Sequence, residues 1–499
     1  MTLVAVPLSA KTPDALLADT VRAAAAGADL VEWRLDTCQH LGASPDEVIA
    51  AIPRSPLPVL LTIRHADETG AWTGSASERC RLLQAADAAG AAYIDIEFAH
   101  LADLGTWRPQ RARLILSAHD FSGMGSDLVG LVERMRAAGG LPKIAVTADD
   151  ASDLAPVRDL LVSRTGDLIA LAMGEHGLPS RLLAGVWGSF LTFARLDEQA
   201  GSAPGQPTVT ELVGRYRIHA QRPDWRILGV IGSPIAHSLS PHIHNAVLAQ
   251  DGVPAVYVPF RVEDPVAFWT SCGPWIHGLS ITIPHKHALL KHVDVVEPLV
   301  TSIGAMNTIA KVDGKAHGGN TDAAAIIACV EGAFVQSARG NLHGKTVLCL
   351  GAGGVGRAIA HALASRGAKL VIVNRTHARA VELAAEVGGR AVTEAEAYHM
   401  PYDVLVNGTA VGMSKGSARP LESPWPAARH RAGSVVFDTV YTPLTTRLLH
   451  DAQAAGAITV PGLDMFILQA AEQYRRFTGR EPDTALMRAT ALARLNSGA

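Results

Sequence analysis

Cysteine and aromatic rings are both scarce in this chain of 499 residues. The five cysteines (Cys38, Cys80, Cys272, Cys329, Cys349) are odd in number, far apart and without a C-x-x-C pair. That pattern argues against a disulfide framework or a cysteine zinc site and suits a reducing compartment. Aromatic residues make up 5% of the chain, so alanine- and glycine-rich helices are expected to pack through small side chains. An excess of charge of either sign is also missing. Lys and Arg number 44 against 47 Asp and Glu, and no long basic block occurs, so no nucleic-acid partner is expected. No apolar stretch is long enough to span a bilayer, so no membrane partner is expected either. The opening "MTLVAVPLSAKTPDALL" runs straight into a strand-like segment without a signal or transit peptide, which gives a cytoplasmic expectation. What the chain does have is 48% hydrophobic and 18% charged residues, the balance of a globular protein whose length allows two to four domains.

Up to about residue 215, short β-branched runs alternate with alanine-rich amphipathic segments. The runs are residues 3–8, 30–35, 59–64, 93–98, 113–119, 143–148, 168–174 and 186–194. Seven are followed by a helix-like stretch within this half and the eighth by "TVTELVGRYRIHA" (208–220), the count of a (β/α)8 barrel. Such barrels carry their chemistry at the C-terminal ends of the strands. Glu32 and Arg34 fall there on the second run, Arg64 ends the third, His119 ends the fifth, and Ser202 and Gln206 lie in the loop "GSAPGQ". Two arginines at one mouth suit an anionic substrate, a carboxylate above all, because guanidinium binds it bidentately. In "LPKIAVTA" Lys143 opens an otherwise apolar strand. It is either a strand-end lysine whose ammonium reaches water or a nucleophile toward ketones, and this stretch alone leaves both readings open.

The segments "ADLVEWRLD", "TIRHADETG", "SAHDF", "PKIAV", "SRLLAGVWGSFLTFA" and "SAPGQ" occur in an order and spacing that resemble type I 3-dehydroquinate dehydratase across residues 1–215. The resemblance implies that Lys143 forms a Schiff base with the substrate ketone and that His119 moves protons. It implies that Arg64 and Arg181 hold carboxylate or hydroxyl groups and that Glu32, Arg34, Ser202 and Gln206 line the site. Glu68 stands where that family has a glutamate near the histidine. The chemistry agrees: an iminium is an electron sink for the carbanion formed next to a ketone, and a histidine titrating near neutrality can shuttle the proton. Neither half shows a metal-ligand cluster, and no metal is expected.

Past the polar stretch "AQRPD", "KTVLCLGAGGVGRAIAHALASRG" from Lys345 reads as a buried strand, a glycine turn and a helix. Gly351, Gly353 and Gly356 make G-x-G-x-x-G in that context, and with Ala352, Gly354 and Val355 they would set a dinucleotide pyrophosphate on a helix N-terminus. The next strand ends at Asn374-Arg375-Thr376 without the acidic residue of an NAD site. Arg375, with Arg379 one turn on, therefore favours a 2′-phosphate and NADP(H), against the plainer reading of an exposed arginine at a helix start. Between residues 226 and 325, Ser238 and Ser240 precede a helix, Lys286 ends a strand in "LSITIPHKH", and Asn307 and Asp322 follow in "GAMNTI" and "GGNTD". The serines can hold a carboxylate or merely cap the helix, and Asp322 can cap the next one. His242, His244, His285 and His287 lack metal-ligand spacing and read as surface or satisfied residues.

Together with "NGTAVGM", "DTVYTPLTTRLL" and "GLDMFILQAAEQYRRFTG", this cluster resembles shikimate dehydrogenase across residues 226–499. The resemblance implies that Lys286 and Asp322 form a catalytic pair, that Ser238 and Ser240 take the substrate carboxylate, and that Thr282, Asn307, Tyr441 and Gln469 bind ring hydroxyls. Thr439, Gly462 and Met465 would lie at the cofactor. Two departures stand out: Ser280 replaces a frequent asparagine, and "NTDAAA" lacks the glycine of NTD-x-x-G, which bears on Asp322. The expected architecture is α/β, an N-terminal (β/α)8 TIM barrel (1–220) followed by a two-domain α/β dehydrogenase. Its substrate-binding domain spans 226–325, completed by helices at about 466–499, and its Rossmann NADP-binding domain spans 326–465. The first reaction's product, 3-dehydroshikimate, is the second's substrate. The joint expectation is a bifunctional shikimate-pathway enzyme, a monomer or homodimer acting on small carboxylates, that converts 3-dehydroquinate to 3-dehydroshikimate and, with NADPH, to shikimate. A quinate dehydrogenase in the second half, or a half that senses ligand without turnover, are the alternatives. Lys143, His119, Lys286 and Asp322 are all present, which speaks against the sensor.

Overall fold

The computed structural model describes residues 1–197, 206–336, 340–414 and 421–496; Ser202 lies outside them. The chain divides into two compact units, one of residues 1–227, 233–236 and 254–276, the other of 228–232, 237–253 and 277–499.

The first unit holds eight parallel strands: β1 (Leu3–Leu8), β2 (Leu30–Arg34), β3 (Val59–Thr62), β4 (Tyr93–Glu97), β5 (Arg113–His119), β6 (Leu141–Thr147), β7 (Ile169–Met173) and β8 (Leu191–Phe193). They pair in the order β7-β6-β5-β4-β3-β2-β1-β8. The Phe190 amide donates to Leu168 O at 2.8 Å beside the remaining gap, so the barrel is nearly closed. Its interior is filled by inward side chains from all sides, among them Ala5, Leu30, Leu60, Ile115, Ile169, Leu191 and Phe193. Polar side chains gather where the strands end: Glu32, Thr62, Asp95, Glu97, Ser117 and Lys143 are all buried.

Local chemistry explains the helices that wrap the barrel. The helix Pro13–Ala25 starts with proline in its first turn and Thr12 accepting from the Ala15 amide. The helix Ala76–Ala89 is capped by Ser75 and ended by Gly90 at φ +94°. In three places the structure departs from the strand-helix expectation. The eighth strand is only Leu191–Phe193, because Ala184–Trp187 is a helical turn ended by Gly188 at φ +77°. A tight 3-10 segment, Phe98–Leu104, follows β4 in place of an α-helix, closed by Gly105 and kinked at His100. The expected helix over 208–220 is reduced to the π-helical turn Glu211–Arg215, after which Arg217 adopts φ +50°.

Two sheets follow. A mixed six-stranded sheet contains β9 (Arg226–Gly232), β10 (Ala255–Arg261), β11 (Ile276–Ile281), β12 (Val295–Val296), β13 (Thr308–Val312) and β14 (Lys315–Gly319). Its order is β10-β9-β11-β13-β14-β12, with the β11/β13 and β13/β14 pairs antiparallel. The last sheet is parallel, built from β15 (Thr346–Leu350), β16 (Lys369–Val373), β17 (Arg390–Ala391), β18 (Val404–Asn407), β19 (Val435–Asp438) and β20 (Ile458–Val460). Its order β17-β16-β15-β18-β19-β20 is the doubly wound 3-2-1-4-5-6 arrangement. Its crossover helices bury alanine-rich faces (Ala358, Ala360, Ala362, Ala380, Ala384) against Val347, Cys349, Ile372 and Val406.

Candidate active sites

A cavity of about 520 Å³ opens at the barrel mouth, and Glu32, Arg34, Arg64, Glu68, His119, Lys143, Arg181 and Gln206 all line it. Lys143 sits on β6, 4% exposed, with Nζ donating to Asp95 Oδ2 at 2.8 Å and lying 3.8 Å from Glu32 Oε1. The Phe193 ring lies 4.5 Å from the same nitrogen, a cation–π contact that closes the inner side of the cavity. The lysine does not reach water by a flexible stem; it is held among buried groups.

Arg64, just past β3, organises the surroundings. Its guanidinium donates to Asp95 Oδ1 at 2.9 Å, Glu97 Oε1 at 3.0 Å and Ser117 Oγ at 2.7 Å. Arg79 binds the other Glu97 oxygen. Burial alone would push Asp95 up, yet Arg64 and Lys143 hold its carboxyl well below the usual carboxylate range. Arg34 forks onto Asp36 at 3.0 and 2.8 Å. Arg181 differs from both. It is 4% exposed, its Nη1 has no hydrogen-bond partner among the described residues, and burial pulls its guanidinium down to about 10. A buried cation without a counter-ion is costly, and an anionic ligand in the cavity is what would offset that cost.

His119 ends β5, and its Nδ1 lies 2.8 Å from Glu68 Oε2. Burial, joined by the cations Arg64 and Lys143, pushes His119 well below the ordinary histidine value, so it is neutral at neutral pH. Burial raises the Glu68 carboxyl to about 7 against the pull of Arg64. Both directions describe a pair that shares one proton instead of carrying two opposite charges. Asp95, Glu97, Ser117 and Thr62 were missed in the sequence. The signal was there for the first two: "YIDIEF" alternates, and its acidic residues fall on every second position of a buried strand.

In the second unit Lys286 Nζ donates to Asp322 Oδ2 at 2.6 Å. Asp322 lies in the first turn of the helix Thr321–Gln336 and is 7% exposed. The missing glycine does not disturb it, since Ala325 is buried in the same helix. Asn307 Oδ1 accepts from the Thr321 amide and the Thr308 hydroxyl, both at 2.8 Å, which fastens β13 to that helix. Ser280 donates to Gln473 Oε1 at 2.9 Å, and Gln473 in turn donates to Thr308 Oγ1 at 3.1 Å. This interior bridge gives the unusual serine a partner, and Gln473 was not singled out in the sequence. Ser240 begins the helix Ser240–Gln250 and its amide donates to Ser238 Oγ at 3.3 Å. The Thr282 amide donates to Ile231 O at 3.0 Å. Tyr441 stacks at 5.2 Å on Phe466, one turn into the helix Gly462–Thr478 that also carries Met465 and Gln469. Of the four histidines read as surface or satisfied, His287 is exposed and His242 half-buried, but His244 and His285 are buried.

The glycine loop follows β15. Gly351 takes φ +106°, and a Cβ on Gly356 would stand 2.1 Å from Gly351 O, so both positions demand glycine. The helix Gly354–Ala364 starts with no side-chain cap, which leaves its first amides for an anion. These features fit a dinucleotide pyrophosphate. Asn374 bridges the loop: its Oδ1 accepts from the Ala352 amide at 3.1 Å and its Nδ2 donates to Thr376 O at 2.9 Å. Arg375, Thr376 and Arg379 are exposed beside it. Thr439 Oγ1 donates to Asn407 O at 2.8 Å. A Cβ on Gly354 would lie 4.0 Å from His287 Nε2, so the segment after Lys286 borders the loop.

A buried lysine among carboxylates in a barrel mouth, and a lysine–aspartate pair bordering a dinucleotide loop, define a carbonyl-directed lyase joined to a nucleotide-dependent oxidoreductase. The comparisons with known proteins are specific. The type I 3-dehydroquinase family matches residues 4–223, the shikimate dehydrogenase substrate binding domain 230–309, the shikimate / quinate 5-dehydrogenase family 333–415, and the shikimate 5′-dehydrogenase C-terminal domain 462–492. The chloroplastic bifunctional 3-dehydroquinate dehydratase/shikimate dehydrogenase of Arabidopsis thaliana is 40% identical over 96% of this chain and 82% of its own length. Shikimate dehydrogenase (NADP(+)) of Pyrococcus abyssi is 39% identical over 55% of this chain and its full length, 100%. A crystal structure of a shikimate dehydrogenase in complex with NADP+ superposes with a TM-score of 0.50 at 31% identity, covering 55% of this chain and 97% of its own. The chain belongs to the family of bifunctional 3-dehydroquinate dehydratase/shikimate dehydrogenases.

Proposed function

We propose that the barrel dehydrates 3-dehydroquinate through a Schiff base on Lys143 and that the second unit reduces the resulting 3-dehydroshikimate to shikimate with NADPH. The observation that carries the first half is Lys143 lining one cavity with the Glu68–His119 pair and with Arg181, whose Nη1 has no partner among the described residues. In this reading Arg181 takes the substrate carboxylate, which removes its own unpaired burial. Nζ attacks the ketone carbon and water leaves, giving an iminium. Neutral His119, oriented at Nδ1 by Glu68, accepts the proton next to the imine carbon. The enamine electrons then expel the β-hydroxyl, which takes that proton back as water. Hydrolysis of the conjugated iminium returns the water lost at its formation and frees the lysine. Asp95, 2.8 Å from Nζ, positions the lysine and faces the positive charge of the iminium once it forms.

For the second half, the Lys286–Asp322 contact at 2.6 Å supports an acid placed at the ketone oxygen. The bound dinucleotide supplies the hydride. Lys286 stabilises and protonates the oxygen on which charge develops, while Asp322 orients its ammonium. Ser238, Ser240, Thr282, Asn307, Tyr441 and Gln469 surround the substrate, and Arg375 with Arg379 holds a 2′-phosphate. The five free thiols suit a reducing compartment, which we take to be the cytoplasm.

One experiment tests both halves: 3-dehydroquinate and NADPH given to the purified chain, with borohydride trapping in a parallel sample lacking NADPH. Shikimate as product and a reduced adduct on Lys143 are expected. Quinate as product overturns the order of steps, and an adduct on another lysine overturns the Schiff-base assignment.

A further inference from the structure

Beside the barrel mouth, outside the machinery just described, two histidines share one carboxylate. His65 follows Arg64 in the turn after β3, and His100 lies at the kink of the 3-10 segment after β4. Their rings face each other with centroids 4.1 Å apart. Asp67 Oδ2 is 3.3 Å from His65 Nδ1 and 3.3 Å from His100 Nε2. The donor atoms of all three residues lie within 4.8 Å of one another. Two ligands bound tetrahedrally to zinc at its usual bond lengths stand about 3.4 Å apart, close to both of these separations.

The surroundings fit as well. Asp103 Oδ2, which accepts from Arg79 Nη1 at 3.3 Å, lies 3.8 Å from His100 Nδ1 and adds a second negative charge beside the pair of rings. The His65 amide donates to Glu97 Oε1 at 2.9 Å, so the backbone presenting the first ring is anchored to the buried charge network. His65 Nδ1 accepts only a long bond of 3.3 Å, from the Asp67 amide, which a cation would replace. The side chains are accessible enough for an ion to enter: the histidines are 25% and 20% exposed and Asp67 71%.

We propose that His65, Asp67 and His100 form a binding site for a divalent transition-metal ion of the zinc class. Two imidazoles and one carboxylate select Zn2+, Ni2+ or Cu2+ over the oxygen-seeking Mg2+ and Ca2+. The ion ties the turn after β3 to the segment after β4, with water completing its coordination. The site is separate from the dehydration chemistry, in which none of the three residues takes part. The sequence concealed it because the third ligand comes from another loop.

The test is calorimetric titration of the intact chain with ZnCl2, alongside His100→Ala and the isosteric Asp67→Asn, with thermal melting and a Co2+ absorption spectrum. Expected are one ion per chain, a melting temperature raised by Zn2+ in the parent only, and affinity weakened at least about tenfold in both variants. No binding to the parent, undiminished affinity in both His100→Ala and Asp67→Asn, or a thiolate charge-transfer band with Co2+ would each overturn the proposal.

Discussion

Two residues of the barrel site illustrate how environment, not identity, sets a role. Glu68 and His119 are 2.8 Å apart, yet burial drives one carboxyl up to about 7 and, with Arg64 and Lys143, the imidazole down. A carboxyl with a raised pKa binds a proton as pH falls through about 7, so the pair takes up its one shared proton there and ceases to act as a base. The dehydratase should therefore lose kcat on the acid side of neutrality. In Glu68→Gln that acid limb should move to lower pH, because the remaining histidine is itself depressed; a pH–rate profile that does not move removes Glu68 from the pair. Arg181 gives the opposite kind of prediction. Replacing it with leucine removes a buried cation that has no partner at Nη1 among the described residues, so thermal stability should hold or rise. The same change should raise KM for 3-dehydroquinate by about 10- to 100-fold, the loss of one charge-assisted bond. Lower stability together with an unchanged KM would make this arginine a structural residue.

At the scale of elements, the ends of strands bear most of the responsibility. Asp438 ends β19 fully buried, and it gathers Asn407 Nδ2 at 2.9 Å, the Val440 amide at 3.1 Å and Thr446 Oγ at 2.6 Å. Asn407 ends β18 and in turn accepts from the Thr409 amide and hydroxyl. One carboxylate thus aligns two strand ends and the start of the helix Arg447–Ala454. Asp438→Ala leaves three buried donors unpaired and should cost about 3 kcal/mol or more, measured as the shift of the urea midpoint of the second unit. It should also weaken dinucleotide binding, because Gly408 and Thr409, next to Asn407, pack against Gly351 of the glycine loop. These elements differ in how well the sequence announced them. Strands were plain because β-branched runs alternate with alanine-rich segments, and the glycine loop because its spacing has one mechanical meaning. The short eighth strand and the 3-10 segment after β4 were not, since Gly188 and Gly105 break patterns whose apolar residues continue past them. The alternation in "YIDIEF" marked Asp95 and Glu97, but their partners Arg64, Arg79 and Lys143 come from other elements, and no local pattern names those pairings.

At the scale of the whole chain, Lys143 and Lys286 belong to separate compact units. The cysteines noted at the outset as scarce are all unpaired, and their placement has a consequence of its own. Cys38 and Cys272 are buried in the first unit, Cys329 and Cys349 in the second. Burial raises the thiols of Cys272, Cys329 and Cys349 to about 12, where almost no thiolate exists at neutral pH. Cys80 alone is partly exposed. The folded chain should accept one equivalent of a thiol-labelling dye promptly and the rest only as each unit opens. Peptide mapping of the dye after graded denaturant would then time the unfolding of the two halves separately, with the native chain as its own clock.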